Sequence, residues 1–142
     1  MSARGLRLRG DDGAIAIFAV VIVMALFLAI GLVVDGGGRL RAMQRADALA
    51  AEAARTGAQR ILIGGDTDRP TIDVTPACQA ASAYLVQAGV QPSGCGRVDG
   101  ETLRVSATVS YDNVFLSLIG QSTSQVTGSA RARLARGVDE EY

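Results

Sequence analysis

The sequence predicts an α+β protein: a single N-terminal transmembrane helix continuing into a long Ala-rich helix, followed by a short helix and a small antiparallel sheet of three or four strands. Three observations predict it. An uncharged apolar run extends from Ala14 to Val34. A stretch rich in Ala, Leu, Gln, Arg and Glu follows from Arg39 to Ile63. Two runs near the C-terminus alternate strictly between apolar and polar residues, the period of a half-buried strand.

The apolar run comes first. At ~1.5 Å per residue it is roughly 31 Å long, the thickness of a bilayer's hydrocarbon core. Gly31 is its one residue that is not plainly hydrophobic. A soluble helix needs a polar face, which this run lacks, and the roughly 108 residues after it are too few to wrap it. Before it stand Arg4, Arg7 and Arg9; after it stand Asp35 and then Arg39, Arg41 and Arg45. The arginines are nearly balanced, and with the amino terminus counted the balance leans slightly to a cytoplasmic N-terminus. Asp35 ends the apolar run at the interface.

Asp35-Gly36-Gly37-Gly38 then changes the character of the chain. Each Gly costs about 1 kcal/mol against Ala inside a helix, so the helix either stops here or passes through a soft joint. Beyond the glycines, Ala42, Ala46, Leu49, Ala53 and Gly57 recur at spacings of three and four, with Ala50 and Ala54 beside them. This narrow face of small residues permits close packing. It has two readings: a helix covering a sheet within the chain, or a helix-packing face toward other subunits. Gly64 to Pro70 is a turn-rich break. Asp66 and Asp68 within it lack the rest of a calcium-loop signature and read as solvated carboxylates.

Thr75 as N-cap, Pro76 at the first helical position and Gly89 past the end predict a short helix. Cys78, Ala81, Leu85 and Ala88 share one face of it. Asp99-Gly100 is a hairpin signal, so Arg97-Val98 begins a short strand. The long strands follow: Leu103, Val105, Ala107, Val109 and Tyr111 on one face of the first, and Val126, Gly128, Ala130, Ala132 and Leu134 on one face of the second. Between them, Val114, Phe115, Leu118 and Ile119 form an apolar patch. It reads either as a helical turn capping the sheet or as an exposed membrane-surface patch.

These elements divide the chain into a basic cytoplasmic leader (1–13), a transmembrane helix (14–35), an Ala-rich amphipathic helix (36–63) and a small extracytoplasmic α+β domain (64–142). A domain so small commonly needs a staple. Cys78 and Cys95, both beyond the apolar run, predict a disulfide if that side is oxidising; the alternative is two buried free thiols.

Composition narrows function. The 142 residues include no His, no Lys and no Trp, all 14 basic residues are Arg, and the net charge is zero. The usual general base and the commonest metal ligand are missing. A Lys-dependent phosphate loop is ruled out. Two cysteines far from C-x-x-C spacing do not make a redox motif. A neutral chain has no basic footprint for nucleic acid. The expectation is a non-enzyme with no cofactor, no metal, no nucleic acid and no small-molecule substrate, whose first partner is the lipid bilayer.

Residues Arg9 to Ala16, the apolar run, Gly31-Leu32-Val33-Val34-Asp35-Gly36 and Arg39 to Ala54 together carry a resemblance. In this order they resemble the TadE/TadG-like proteins of the tight-adherence (Flp) pilus system over about a third of the chain. The resemblance implies a pilin-like, membrane-anchored structural or accessory component, minor-pilin-like, with its N-terminus in the cytoplasm and its C-terminal domain outside. Its partners would be other pilin-like or Tad-system membrane proteins. It also marks Gly13–Ala14 as the prepilin-type cleavage point. Processed members carry Glu at the fifth residue after that glycine, where this chain has Phe18, so the likeness leans to the uncleaved kind. The alternative to an assembly component is a stand-alone membrane-anchored extracytoplasmic binding domain.

Overall fold

One helix, α1, runs unbroken from Asp12 to Ala58, 47 residues, about 70 Å at ~1.5 Å per residue. The computed structural model describes residues 12–62 and 71–134. The leader before Asp12, the turn bearing Asp66 and Asp68, and the acidic tail lie outside the described residues. After α1 come the short strands β1 (Ile61–Leu62) and β2 (Thr71–Ile72), helix α2 (Val74–Gln87), strands β3 (Gln91–Asp99) and β4 (Thr102–Asp112), a 3-10 turn (Leu116–Ile119) and strand β5 (Thr123–Arg133). The fold is α+β. Strands β3, β4 and β5 form an antiparallel sheet in that order, and β1 pairs antiparallel with β2.

The two halves of α1 live in different surroundings. The large apolar side chains from Ile15 to Val34 are all exposed, Leu32 at 77%. This half is long and apolar enough to cross a membrane. From Ala42 onward one face is buried: Ala46, Ala50, Ala53 and Ala54 have no exposed surface. That face covers the inner side of β4 and β5, while α2 packs against α1, β3 and β4. The outer side of the sheet carries Arg104, Thr127, Arg131 and Arg133 to solvent, so one sheet face is dry and one wet, as antiparallel sheets commonly are.

The core is made mainly of small residues; its largest fully buried side chains are Ile72, Leu85, Leu103 and Val105. Small residues let the sheet approach the helix backbone. A Cβ on Gly128 of β5 would lie 2.6 Å from the Ala46 carbonyl carbon. A Cβ on Gly57 of α1 would lie 2.6 Å from Leu103 Cδ2 and 2.7 Å from the Ala77 carbonyl oxygen. Either contact is far inside van der Waals distance, so both positions exclude any side chain.

Gly36 and its neighbours behave differently. The helix passes straight through them, and a Cβ on Gly36 would meet nothing within 4 Å. Contacts on either side hold the helix where propensity alone would let it stop.

Four features differ from the sequence expectation. Helix α1 ends at Ala58 rather than near Ile63. There the Arg60 N–H bonds back to the Gly57 carbonyl at 3.0 Å, and β-branched Ile61 enters a strand pair with Ile72. Helix α2 starts at Val74, with Asp73 rather than Thr75 at the N-cap. Pro76 still falls within the first turn, where a missing N–H costs nothing. At the other end Gly89 adopts φ 70°, the left-handed conformation that closes a helix. Strand β3 is far longer than Arg97-Val98. Pro92, Gly94 and Gly96 obscure its pattern, and the ladder to β4 is interrupted by irregularities at Pro92/Gly94 and Arg97/Asp99. As an edge strand it tolerates Pro and bulges that a central strand would not. The hairpin turn itself is Gly100-Glu101, one residue later than the sequence signal, because Asp99 pairs with Thr102. The Asp99 carboxylate accepts the Glu101 N–H at 2.9 Å. That bond, with the Thr102 hydroxyl, holds its pKa below the ordinary 3.8.

Cys78 and Cys95 are joined by a disulfide, Cα–Cα 5.7 Å, across a sequence separation of 17. It ties α2 to β3, a strand exposed at every residue but Gly96, Cys95 included.

Two outcomes are expected. Gly57→Ala and Gly128→Ala each lower stability by roughly 1–3 kcal/mol through overpacking, whereas Gly36→Ala raises it by up to about 1 kcal/mol; denaturant unfolding of the detergent-solubilised chain measures all three. Replacing both Cys78 and Cys95 by Ser costs about 3 kcal/mol by the chain-entropy account, read in the same assay, with wild type under reductant matching the variant.

Candidate functional site

The stripe of α1 that faces the rest of the chain does not begin at Ala42. Read backward at spacings of three and four, it continues through Gly38, Asp35 and Gly31 to Leu28. Residues three and four apart share a helix face. The stripe therefore reaches into the apolar half, and there it meets the turn between β4 and β5.

The meeting point is built from a gap and a charge. Gly31 is buried although its neighbours in the run are exposed. The Phe115 ring fills the space beside it: a Cβ on Gly31 would lie 2.8 Å from ring atoms Cγ and Cδ1. One helical turn on, the Asp35 carboxylate accepts three successive backbone N–H groups. Oδ1 takes Val114 at 2.8 Å and Oδ2 takes Leu116 at 2.8 Å. The Phe115 N–H lies between them, 3.2 Å from Oδ1 and 3.1 Å from Oδ2. These N–H groups open the 3-10 turn and have no acceptor within it, as at any helix start. A carboxylate brought from another part of the chain caps them.

The neck of the turn is closed by Asn113, which is 5% exposed. Its backbone N–H bonds the Ser122 carbonyl at 2.8 Å. Its side-chain Nδ2 donates to the Gln121 carbonyl at 3.1 Å and to Ser124 Oγ at 2.7 Å. Gly120, with φ 92°, ends the turn. Tyr111, at the end of β4, lies beside Gly38. Farther up α1, Asp47 Oδ1 accepts the Ser129 N–H of β5 at 3.0 Å. Two carboxylates on one helix thus hold one hairpin, Asp35 at its turn and Asp47 on its outer strand.

Leu28, Gly31, Leu32 and Asp35 on the helix, with Phe115, Leu116, Leu118 and Ile119 on the turn, line an apolar cleft of about 370 Å³. A second cleft, about 250 Å³ and polar, lies between Arg45, Gln91, Ser110 and Gln125. Among the described residues no group of three His, Cys, Asp or Glu side chains could hold a metal ion. Both Asp35 oxygens are engaged by amides, so the arrangement positions elements against each other; it offers no free acid or base at the cleft.

The structure brings the sequence-predicted residues together as follows. Ala42, Ala46, Ala50, Ala53, Ala54 and Gly57 are buried beneath the sheet and α2, with Leu49 at the margin of the same core; within this chain the face is already covered. Cys78 and Cys95 are bonded to each other. Gly13 and Ala14 lie exposed in the first turn of α1. The Val114–Ile119 patch forms the helical turn, and Leu118 and Ile119 remain 80% and 77% exposed. The capping roles of Asp35 and Asp47 were not read from the sequence. For Asp35 the signal is visible in hindsight, as the lone acid on the stripe at the end of the apolar half; Asp47 shares its Ala-rich stretch with Glu52 and carries no such signal.

What these features define is an α+β domain carried on a helix long and apolar enough to span a membrane, with the domain clamped to that helix at the end of its apolar half. Compared with protein-family models, curated proteins and solved structures, the chain finds no match in any of the three.

Removing the clamp is expected to free the turn before it unfolds the domain. In Asp35→Ala, hydrogen exchange at the Val114, Phe115 and Leu116 amides rises roughly tenfold or more, while the β4–β5 ladder near Val105 and Ala130 keeps its protection. Asp35→Asn, which retains one acceptor oxygen, falls between the two. Unchanged exchange in Asp35→Ala would mean that the amides are held by something else.

Proposed function

We propose that this chain is a membrane-anchored structural or accessory subunit, minor-pilin-like, of a Tad/Flp-type pilus or a related secretion assembly. The observation that carries the reading is the undivided α1. Its first half exposes apolar side chains on nearly every side. Its second half is the core helix of the folded domain. In such a subunit the anchor and the domain move as one piece, so packing of the helix against neighbours fixes the position of the domain. The order of elements from Gly13 to Ala54, set out above, supports the same reading.

The N-terminus lies in the cytoplasm and the domain outside. The Arg-bearing leader favours that orientation, and a disulfide is stable on the oxidising side of a membrane. The chemistry is packing rather than turnover. The buried Ala face is used up within the chain, so neighbours would contact the apolar half of α1 and the polar outer face of the sheet.

Photo-crosslinking from residues on the exposed apolar half, such as Val20 and Phe27, tests this in the native host. The expected products are discrete adducts with other membrane proteins of the assembly, and protease added to intact cells should reach the domain. Crosslinks to lipid alone, with a monomeric domain, would instead favour an anchored binding module, for which the polar cleft at Arg45 would be the place to look.

A further inference from the structure

We propose that the turn Val114–Ile119 is itself embedded in the bilayer, packed between phospholipid acyl chains beside α1, so that the domain is held to the membrane by two elements. The inference rests on the reading of the apolar half of α1 as a membrane span.

Depth carries the argument. Phe115 touches Gly31, and the turn lines a common cleft with Leu28, Leu32 and Asp35. Leu28 to Asp35 is seven residues, or roughly 10 Å of helix. A side chain in contact with Gly31 lies at the depth of Gly31. If the run to Val34 is solvated by hydrocarbon, the turn is carried below the surface of the leaflet next to the domain. The clamp at Asp35 fixes it there.

The turn has the chemistry for that position. No charged residue occurs from Val114 to Gly120. Its outermost side chains are Leu118 and Ile119, with Val114 59% exposed behind them, and on the helix wall Leu28 is 72% exposed. Backbone in a bilayer must have its polar groups satisfied internally. Here the amides of Val114, Phe115 and Leu116 bond Asp35. Those of Leu118, Gly120 and Gln121 bond the Phe115, Ser117 and Leu116 carbonyls. The Ser117 hydroxyl donates to the Val114 carbonyl. The charge of Asp35 is covered by its three donors. Apolar side chains presented at such a boundary insert about 5–10 Å into the region between headgroups and acyl chains. Lipid is the occupant because the cleft opens onto the same apolar surface that the span presents to the bilayer.

The absence of Trp from the natural chain makes the test direct. Leu118→Trp, in full-length protein reconstituted into phosphatidylcholine vesicles, places one indole at the tip of the turn, where the exposed side chain leaves room for it. Ile119→Trp is the second probe. Met24→Trp reports the middle of the span, and Gln79→Trp reports α2, far from it. Phospholipids brominated near the headgroup end of the acyl chain are expected to quench the Leu118→Trp indole roughly twofold, with less quenching by lipids brominated near the chain terminus. The Met24→Trp indole should show the reverse order, and the Gln79→Trp indole no quenching. Quenching in Met24→Trp but in neither turn variant would overturn the inference and leave the span intact. No quenching in any variant would overturn both. Turn indoles shielded from aqueous iodide yet unquenched by brominated lipid would place a protein against the turn, and would also overturn the proposal.

Discussion

The β4–β5 hairpin sits close against the backbone of α1, with only small side chains between the layers and the Asp35 and Asp47 carboxylates holding it there. At Gly128 the strand comes so near Ala46 that no Cβ fits between them, and at Gly57 the helix offers the same clearance to α2 and Leu103. Everything else in the domain is arranged around this approach. With so little side-chain volume between the layers, the core relies on contact without voids more than on large buried residues. The thin sheet with an exposed edge strand, β3, is then stapled to α2 by the Cys78–Cys95 bond. Close approach also explains why α1 can be continuous: a helix gripped along one stripe by a sheet and a turn does not depend on its own propensity.

That dependence is sharpest around Gly36, Gly37 and Gly38. Three glycines together give up about 3 kcal/mol of helix propensity relative to Ala. Asp35 and Gly31 are gripped by the turn just before them, and Ala42 and Ala46 by the sheet just after. The grip spans the weak point. The clamp and the close packing therefore serve one end: they tie the apolar half of α1 to the folded domain on both sides of the glycines. The same coupling sets the depth of the Val114–Ile119 turn, since the turn cannot move along the helix without releasing Asp35.

Much of this was legible in the sequence. The apolar run, the Ala-rich helix after it, the alternation in β4 and β5 and the cysteine pair each follow from a local pattern of period, composition or spacing. The small-residue face was read from Ala42 to Gly57, and its two readings differed only in what covers it. The errors fall where local pattern is weak. Strand β3 carries Pro92, Gly94 and Gly96 and is held by a ladder to β4, so no alternation announces it. The end of α1 and the start of α2 are set by bonds such as Asp73 N–H to the Arg60 carbonyl, which a sequence window does not contain.

By itself the sequence determined the class of the protein: which segment suits hydrocarbon, which residues form helix or strand, and which two cysteines were free to bond. Those are properties of neighbours along the chain, fixed by periodicity and by transfer free energy. Only the tertiary structure decided that Asp35 caps amides some 80 positions away, that Gly31 makes room for Phe115, and that the Ala face closes on its own sheet. Each of these depends on where two distant segments meet, and a hydrogen bond or a steric gap has no sequence period by which to announce its partner.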